Sequence, residues 1–150
     1  MIWAASLLVM ALPACQVLKP AEVQAVVGAA VTIDRDQSGP GDEEGSDFCA
    51  WKTPEGRFVI LGVHTKTSAA AARVQYAARL VEAFGGGGGP AAQTVAGVGD
   101  EAQYRNYVGG LKGGVVVVRA GLVVFTLEGP MARDAILGLS NLVLVRVGSH

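Results

Sequence analysis

The runs Val115–Val118 and Leu122–Phe125 are almost wholly apolar, rich in β-branched residues, and separated only by Arg119-Ala120-Gly121. Short apolar runs of this kind around a tight turn read as two strands of a hairpin. They lack polar alternation, so they must lie buried within a sheet; left exposed they would be templates for aggregation. The chain must therefore supply partners that cover this hairpin.

The remaining segments offer those partners. Lys19-Pro20-Ala21-Glu22-Val23 opens a helix: proline suits the first helical position, and Glu22 sits near the positive end of the helix dipole. Lys19 is a poor cap, and Gly28 is the stop. Val31-Thr32-Ile33 is a short strand, and residues 34–47 are an acidic, Gly/Pro-containing exposed loop. Phe48–Lys52 and Arg57–Thr65 are strands joined by Thr53-Pro54-Glu55-Gly56, which fits a type I turn. In the second of them Val59, Leu61 and Val63 point one way, and Phe58, Ile60 and His64 the other. Neither face is plainly polar, which makes this strand central. Ser68 caps a helix over Ala69–Phe84. Its wheel places Val74, Ala77, Leu80, Val81 and Phe84 on one broad apolar face, with Gln75, Arg79 and Glu82 opposite. Gly85–Gly89 and Pro90 end that helix and read as a flexible hinge. Gln103–Val108 is a further strand, and Met131 to about Val145 a last helix with Ile136, Leu139, Leu142 and Val143 as its core face. The order is α-β-β-β-α-β-β-β-α, with a weak internal duplication. Hairpin-joined strands with separate helices define an α+β fold with a mainly antiparallel sheet and helices packed on it.

A chain of 150 residues that is 51% hydrophobic and 17% charged forms one folded domain and is not disordered. Twelve basic against thirteen acidic side chains give a net charge of -1, which argues against a nucleic-acid partner. Ile2–Leu12 is an apolar run with the length of a signal-peptide core, although no Lys or Arg precedes it. The chain therefore divides into a signal-like segment, 1–14, and a single domain, 15–150, exported to the periplasm, to the cell exterior or to the outer face of a membrane. Leu12-Pro13-Ala14-Cys15 resembles a bacterial lipobox, which would place lipid on the Cys15 sulfur. The competing use of Cys15 is a disulfide to Cys49, closing a loop of about 35 residues for about 3.5–4 kcal/mol. The two exclude each other, because a thioether sulfur cannot also bridge. Contact with a membrane would run through the N-terminus.

Motifs that carry chemistry are sparse. Asp34, Asp36 and Ser38, followed by Gly39, open like an EF-hand loop, with Asp42 at the ninth position. The twelfth position, which should be a bidentate Glu, is Gly45. A solvated acidic loop explains the segment better than a calcium site. Gly97-Val98-Gly99-Asp100-Glu101-Ala102 matches the spacing of a dinucleotide fingerprint but lacks the β-α-β setting, and reads as a turn with a local acidic cap. The glycine run lacks the Gly-Lys-Ser/Thr ending of a phosphate loop. Cys49 with His64 could be written as nucleophile and base, but a structural cysteine in an exported chain explains Cys49 better. No catalytic residue, metal ligand set or cofactor is assigned. If a ligand groove exists, Trp51, His64, Tyr104 and Tyr107 are its candidates.

Several short pieces occur in a recognisable series: Cys15 to Val23 with Gly28, then Cys49-Ala50-Trp51, then Val95 to Ala102, then Val115–Arg119 with Gly121. The series resembles a small cell-envelope lipoprotein domain of unknown function common in actinobacteria. That group is in turn similar to the extracellular sensor domain of some bacterial serine/threonine kinases. The resemblance implies an α+β domain outside the cytoplasmic membrane, a disulfide between Cys15 and Cys49, and no established catalysis. Lys19 stands where the family has a helix-capping threonine. The expectation is an exported, non-enzymatic envelope domain that binds an unknown small ligand or envelope protein. The alternatives are a small enzyme using Cys49 and His64, and a calcium-dependent interaction module built on the 34–45 loop.

Overall fold

The computed structural model describes residues 12–85 and 92–147. The apolar segment before Leu12, and all of the expected glycine hinge beyond Gly85, lie outside the described residues. In chain order the elements are helices α1 (Ala14–Val17) and α2 (Pro20–Val27), then strands β1 (Thr32–Ile33), β2 (Gly39–Pro40), β3 (Ser46–Lys52) and β4 (Phe58–Thr65). They continue with α3 (Ala69–Phe84), β5 (Gln93–Thr94), β6 (Glu101–Asn106), β7 (Gly114–Ala120), β8 (Val123–Gly129) and α4 (Arg133–Val147). The strands form one antiparallel sheet in the order β1-β3-β4-β8-β7-β6-β5, with β2 also pairing β3. The fold is α+β.

Local chemistry fixes most element ends. Gly28 closes α2 at φ +76°, its N–H donating to Gln24 O. The Ser68 hydroxyl accepts from Ala71 N–H at the start of α3. Gly56 N–H donates to Thr53 O, closing the turn before β4. The acidic loop is less open than expected, since it holds a 3-10 turn over Arg35–Gln37 and the short β2, and its last residues, Ser46 and Asp47, are buried in β3. β4 and β8 pair at the centre of the sheet, and a meander extends from each. α3 and α4 pack on opposite faces.

The register assigns those faces. Cys49, Trp51, Val59, Leu61, Val63, Tyr104, Val116, Val118, Phe125 and Leu127 point to the first face, under α1, α2 and α4. Ile136, Leu139 and Val143 of α4 are buried there and Leu142 is partly so. The second face carries Phe48, Ile60, Gly62, His64, Thr126, Glu128, Val115, Val117 and Val124, and only α3 packs on it. The apolar wheel face expected of α3 holds at Leu80 and Phe84, which pack partly buried on this face, and is corrected at its other positions. Val74 and Val81 are each 71% exposed, while Ala72, Gln75 and Tyr76 are buried. The Tyr76 ring offers more apolar area than either valine, and Ala72 allows close approach to Val117 and Val124. Gln75 and Arg79 are carried inward with them.

The start and end of the domain are tied together on the first face. Cys15 of α1 and Cys49 of β3 form a disulfide with their Cα atoms 4.9 Å apart. Ala14 is fully buried, and its N–H donates to Asp47 Oδ2 at 2.5 Å, so the packed chain extends N-terminal to Cys15. Arg146 of α4 donates to Val17 O and, in bidentate fashion, to both oxygens of Glu22 at 2.6 and 2.7 Å. Glu22 Oε1 also accepts from Lys19 N–H, which supplies the helix cap that the Lys19 side chain cannot. Replacing Cys15 and Cys49 together by alanine should cost about 3–4 kcal/mol, measured as a lowered urea midpoint; an unchanged midpoint would show that the bridge does not cross-link the unfolded chain. The Arg146 guanidinium, followed by the Lys19 N–H, holds the Glu22 carboxyl down from 4.5 to about 2. Its contribution to stability is therefore complete above about pH 4.5 and is lost as the pH falls through about 2. Glu22→Gln should be about 1–3 kcal/mol less stable than the parent near neutral pH, with the gap closing across that acid window in urea titrations.

Candidate functional site

One helix cannot roof the second face, and the uncovered part is a trough along the C-terminal half of α3. Its central section, about 290 Å³, has Gly62, Thr126, Ile60 and Glu128 as floor, Phe48 and His64 on the strand side, and Arg79, Glu82 and Ala83 as the helical wall. A section of about 280 Å³ continues it past Phe48, His64 and Arg79 to the loop at Gly41, Asp42, Glu43 and Ser46. Another of about 280 Å³ continues it past Glu82, Ala83 and Val115 to Arg105, Asn106 and Tyr107. The three adjoin through shared lining residues, Phe48, His64 and Arg79 on one side and Glu82, Ala83 and Val115 on the other. Backbone geometry makes room for Phe48. A Cβ on Gly62 would lie 2.7 Å from Phe48 Cε1, and one on Gly41 would lie 2.6 Å from Cε2, so the ring fits only because both positions are glycine.

His64 is the main polar feature. It is 2% exposed, its ring meets Phe48 edge-on at 5.6 Å, and among the described residues neither ring nitrogen has a hydrogen-bond partner. Thr126 Oγ1 and Arg79 Nε are likewise buried without partners. Burial first, then the Arg79 charge, pulls the imidazole down to about 4, against an opposing effect of Glu43 and with a further lowering by Lys66. At neutral pH it therefore presents one N–H donor and one bare acceptor. Several charged groups nearby have contacts of their own: Arg79 with Glu82, Lys66 with Glu43 at 3.8 Å, and Glu128 Oε2, which accepts from Tyr107 OH at 3.0 Å, while Arg105 Nη1 donates to Phe84 O at 2.9 Å and its Nε is buried without a partner. Burial and the Glu128 carboxylate raise the Tyr107 hydroxyl, which keeps it a donor.

The four expected ligand residues divide two and two. His64 and Tyr107 line the trough. Trp51 and Tyr104 point to the first face, 0% and 1% exposed, and belong to the main core. Tyr104 donates to Asn106 Oδ1 and lies under the Arg133 guanidinium. Cys49 and His64 do not meet, since they project from opposite faces and Cys49 holds no free thiol. Asp34 caps the 3-10 turn, accepting from Asp36 N–H and Gln37 Nε2. Ser38 Oγ donates to Asp34 O and accepts from Ala50 N–H, while Asp42 lies apart on the trough lip. Among the described residues no group of three or more His, Cys, Asp or Glu is placed to hold a metal ion. Gly97–Asp100 of the motif is a turn, and Glu101-Ala102 opens β6. Gly99 takes φ +61° against Arg119, and Asp100 Oδ2 accepts from Gly121 N–H and faces Arg119.

The sequence reading missed Phe48, Gly62, Arg79, Glu82, Thr126 and Glu128. The available signal was the return of polar residues at every second position in β8, where Thr126 and Glu128 alternate with Phe125 and Leu127. Comparison with family models, characterised proteins and solved structures finds no match to this chain.

Because His64 titrates lower when folded than the ordinary 6.5, the unfolded chain takes up its proton first, and stability falls as pH drops from 6.5 towards about 4. In a His64→Gln variant this part of the pH dependence should vanish from urea midpoints across that window; an unchanged slope would place the titration elsewhere.

Proposed function

We propose that this chain is an exported, non-enzymatic domain of the bacterial cell envelope that binds a ligand or an envelope partner in the trough. The observation that carries the proposal is His64, almost fully buried with both nitrogens unpartnered, in a side chain that lines an open depression. Buried polar groups are normally satisfied, and those left over at a concave site are the ones a ligand can use. The disulfide supports the compartment, because such bridges persist in oxidising, non-cytoplasmic surroundings. The same bridge occupies the Cys15 sulfur and so removes it as a lipid carrier. Attachment to a membrane, where it occurs, falls to the chain before Leu12. The resemblance to the envelope lipoprotein domain and to kinase sensor domains points the same way. A binding role is favoured over catalysis because Cys49 holds no free thiol and projects from the face opposite His64, and Glu128 is held by Tyr107.

The test is an isotope-labelled titration of the domain with the soluble carbohydrate-and-peptide fraction of a bacterial envelope digest. Shifts confined to the trough lining, from Gly62, His64 and Thr126 to Val115, and lost in Ala83→Trp, which fills the trough, are expected. Shifts elsewhere, or none, overturn trough binding, and steady conversion of a component overturns the non-enzymatic part.

A further inference from the structure

Resting on the trough as the binding site, we infer that its end beside the last turn of α3 takes a zwitterionic peptide of two or three residues, with the carboxylate on Arg105 and the ammonium on Glu128. Four charged residues, Arg79, Glu82, Arg105 and Glu128, line the two sections that meet there. Arg79 and Glu82 pair with each other, which leaves one cation and one anion without an ion-pair partner among the described residues. Each is fixed through one atom and open at another. Arg105 donates through Nη1 to Phe84 O, and Glu128 accepts through Oε2 from Tyr107. Arg105 Nε is enclosed, but Arg105 Nη2 and Glu128 Oε1 are not, and among the described residues neither has a hydrogen-bond partner. The register sets Arg105 opposite Val115 and Val115 opposite Glu128, so all three share the second face. Two strand spacings, about 10 Å, separate the two charged residues along the backbone, and the partly buried Val115 is the apolar floor between them. An extended chain advances about 3.3–3.6 Å per residue, so the ends of a di- or tripeptide lie about 7–11 Å apart.

Other occupants fit less well. A simple anion on Arg105 would sit near the Glu128 carboxylate, and a simple cation on Glu128 near the guanidinium, so each would gain one attraction and meet one repulsion. An uncharged ligand would take water from both charges and give neither a counter-charge. A single amino acid carries its two charges too close together to reach both. The ends of a peptide also match the open atoms in hydrogen bonding, because a carboxylate accepts from Nη2 and an ammonium donates to Oε1. The quaternary ammonium of a phosphocholine group has no hydrogen to donate.

The test titrates the folded, disulfide-bonded domain with tri-alanine, its N-acetyl and C-amide forms, alanine, a neutral linear tetrasaccharide and phosphocholine, and follows the Val115 and Thr126 methyls. Tri-alanine should shift them and bind about tenfold or more tightly than either blocked form, the worth of one charge-assisted hydrogen bond, and more tightly than alanine. Ala83→Trp should abolish the shifts. Glu128→Gln, which can still accept from Tyr107, should bind tri-alanine no better than the parent binds the N-acetyl form, and acetylation should make no difference to it. Arg105→Gln should behave in the same way towards amidation; if loss of its bond to Phe84 O leaves it poorly folded, the Glu128→Gln comparison decides alone. Blocked peptides that bind as tightly as tri-alanine, or variants that keep the parent's preference for free ends, overturn the zwitterionic peptide and leave trough binding standing. Trough shifts with the sugar, phosphocholine or the envelope digest but not with tri-alanine do the same. Silence of the trough towards both these probes and the digest overturns both.

Discussion

The central pair β4 and β8 carries apolar side chains on both faces, so the sheet needs two roofs, and the two roofs are unequal. Three helices, α1 with its disulfide, α2 and α4, gather on one face, while α3 alone serves the other. A helix with its side chains is about 10–12 Å wide, and strands lie about 4.8 Å apart, so one helix covers about two strands. α3 lies over β7 and β8 and leaves β3 and β4 open beside it. The trough follows from this mismatch in width.

The closed face explains why the open one can be tolerated. The disulfide joins α1 to β3, and Arg146 joins the last helix to both α1 and α2. The first and last described segments thus lock against each other across the main core. Residues far apart in sequence hold the sheet from one side, and its other side is freed from carrying stability alone. Placing the bridge at Cys49, beside Trp51 under the fully covered face, also keeps it away from the trough.

Much of this was readable from residues one at a time, and less of it from pairs. Gly28, Ser68 and the Thr53–Gly56 turn marked element ends because each acts through its own backbone. The two strands around Gly121 announced themselves by composition. Faces were harder, since a face belongs to a register. The turn sets Lys52 opposite Phe58 and therefore Trp51 opposite Val59, on the side away from His64. That parity step separates Trp51 from His64, and reading aromatic residues as one set concealed it. The α3 wheel failed for a different reason. Counting apolar residues favoured Val74 and Val81, but the surface on offer wanted one large ring and one small residue, and it accepted Gln75 and Arg79 beside polar floor atoms. The turn α1 and the Glu22–Arg146 clamp are tertiary events with no local period to betray them.

The polar content of the trough has an energetic consequence. Each buried polar atom without a partner costs about 1–3 kcal/mol, in a domain whose whole stability is about 5–15 kcal/mol. An apolar residue at position 64 would pack between Phe48 and Val124 without that cost. In the proposed binding role, a ligand in the trough would have to recover that cost for the imidazole and the Thr126 hydroxyl. In that role the site would discriminate by leaving its polar atoms bare against the wrong guest, so that a ligand without matching polar groups is rejected more strongly than one with a slightly different shape.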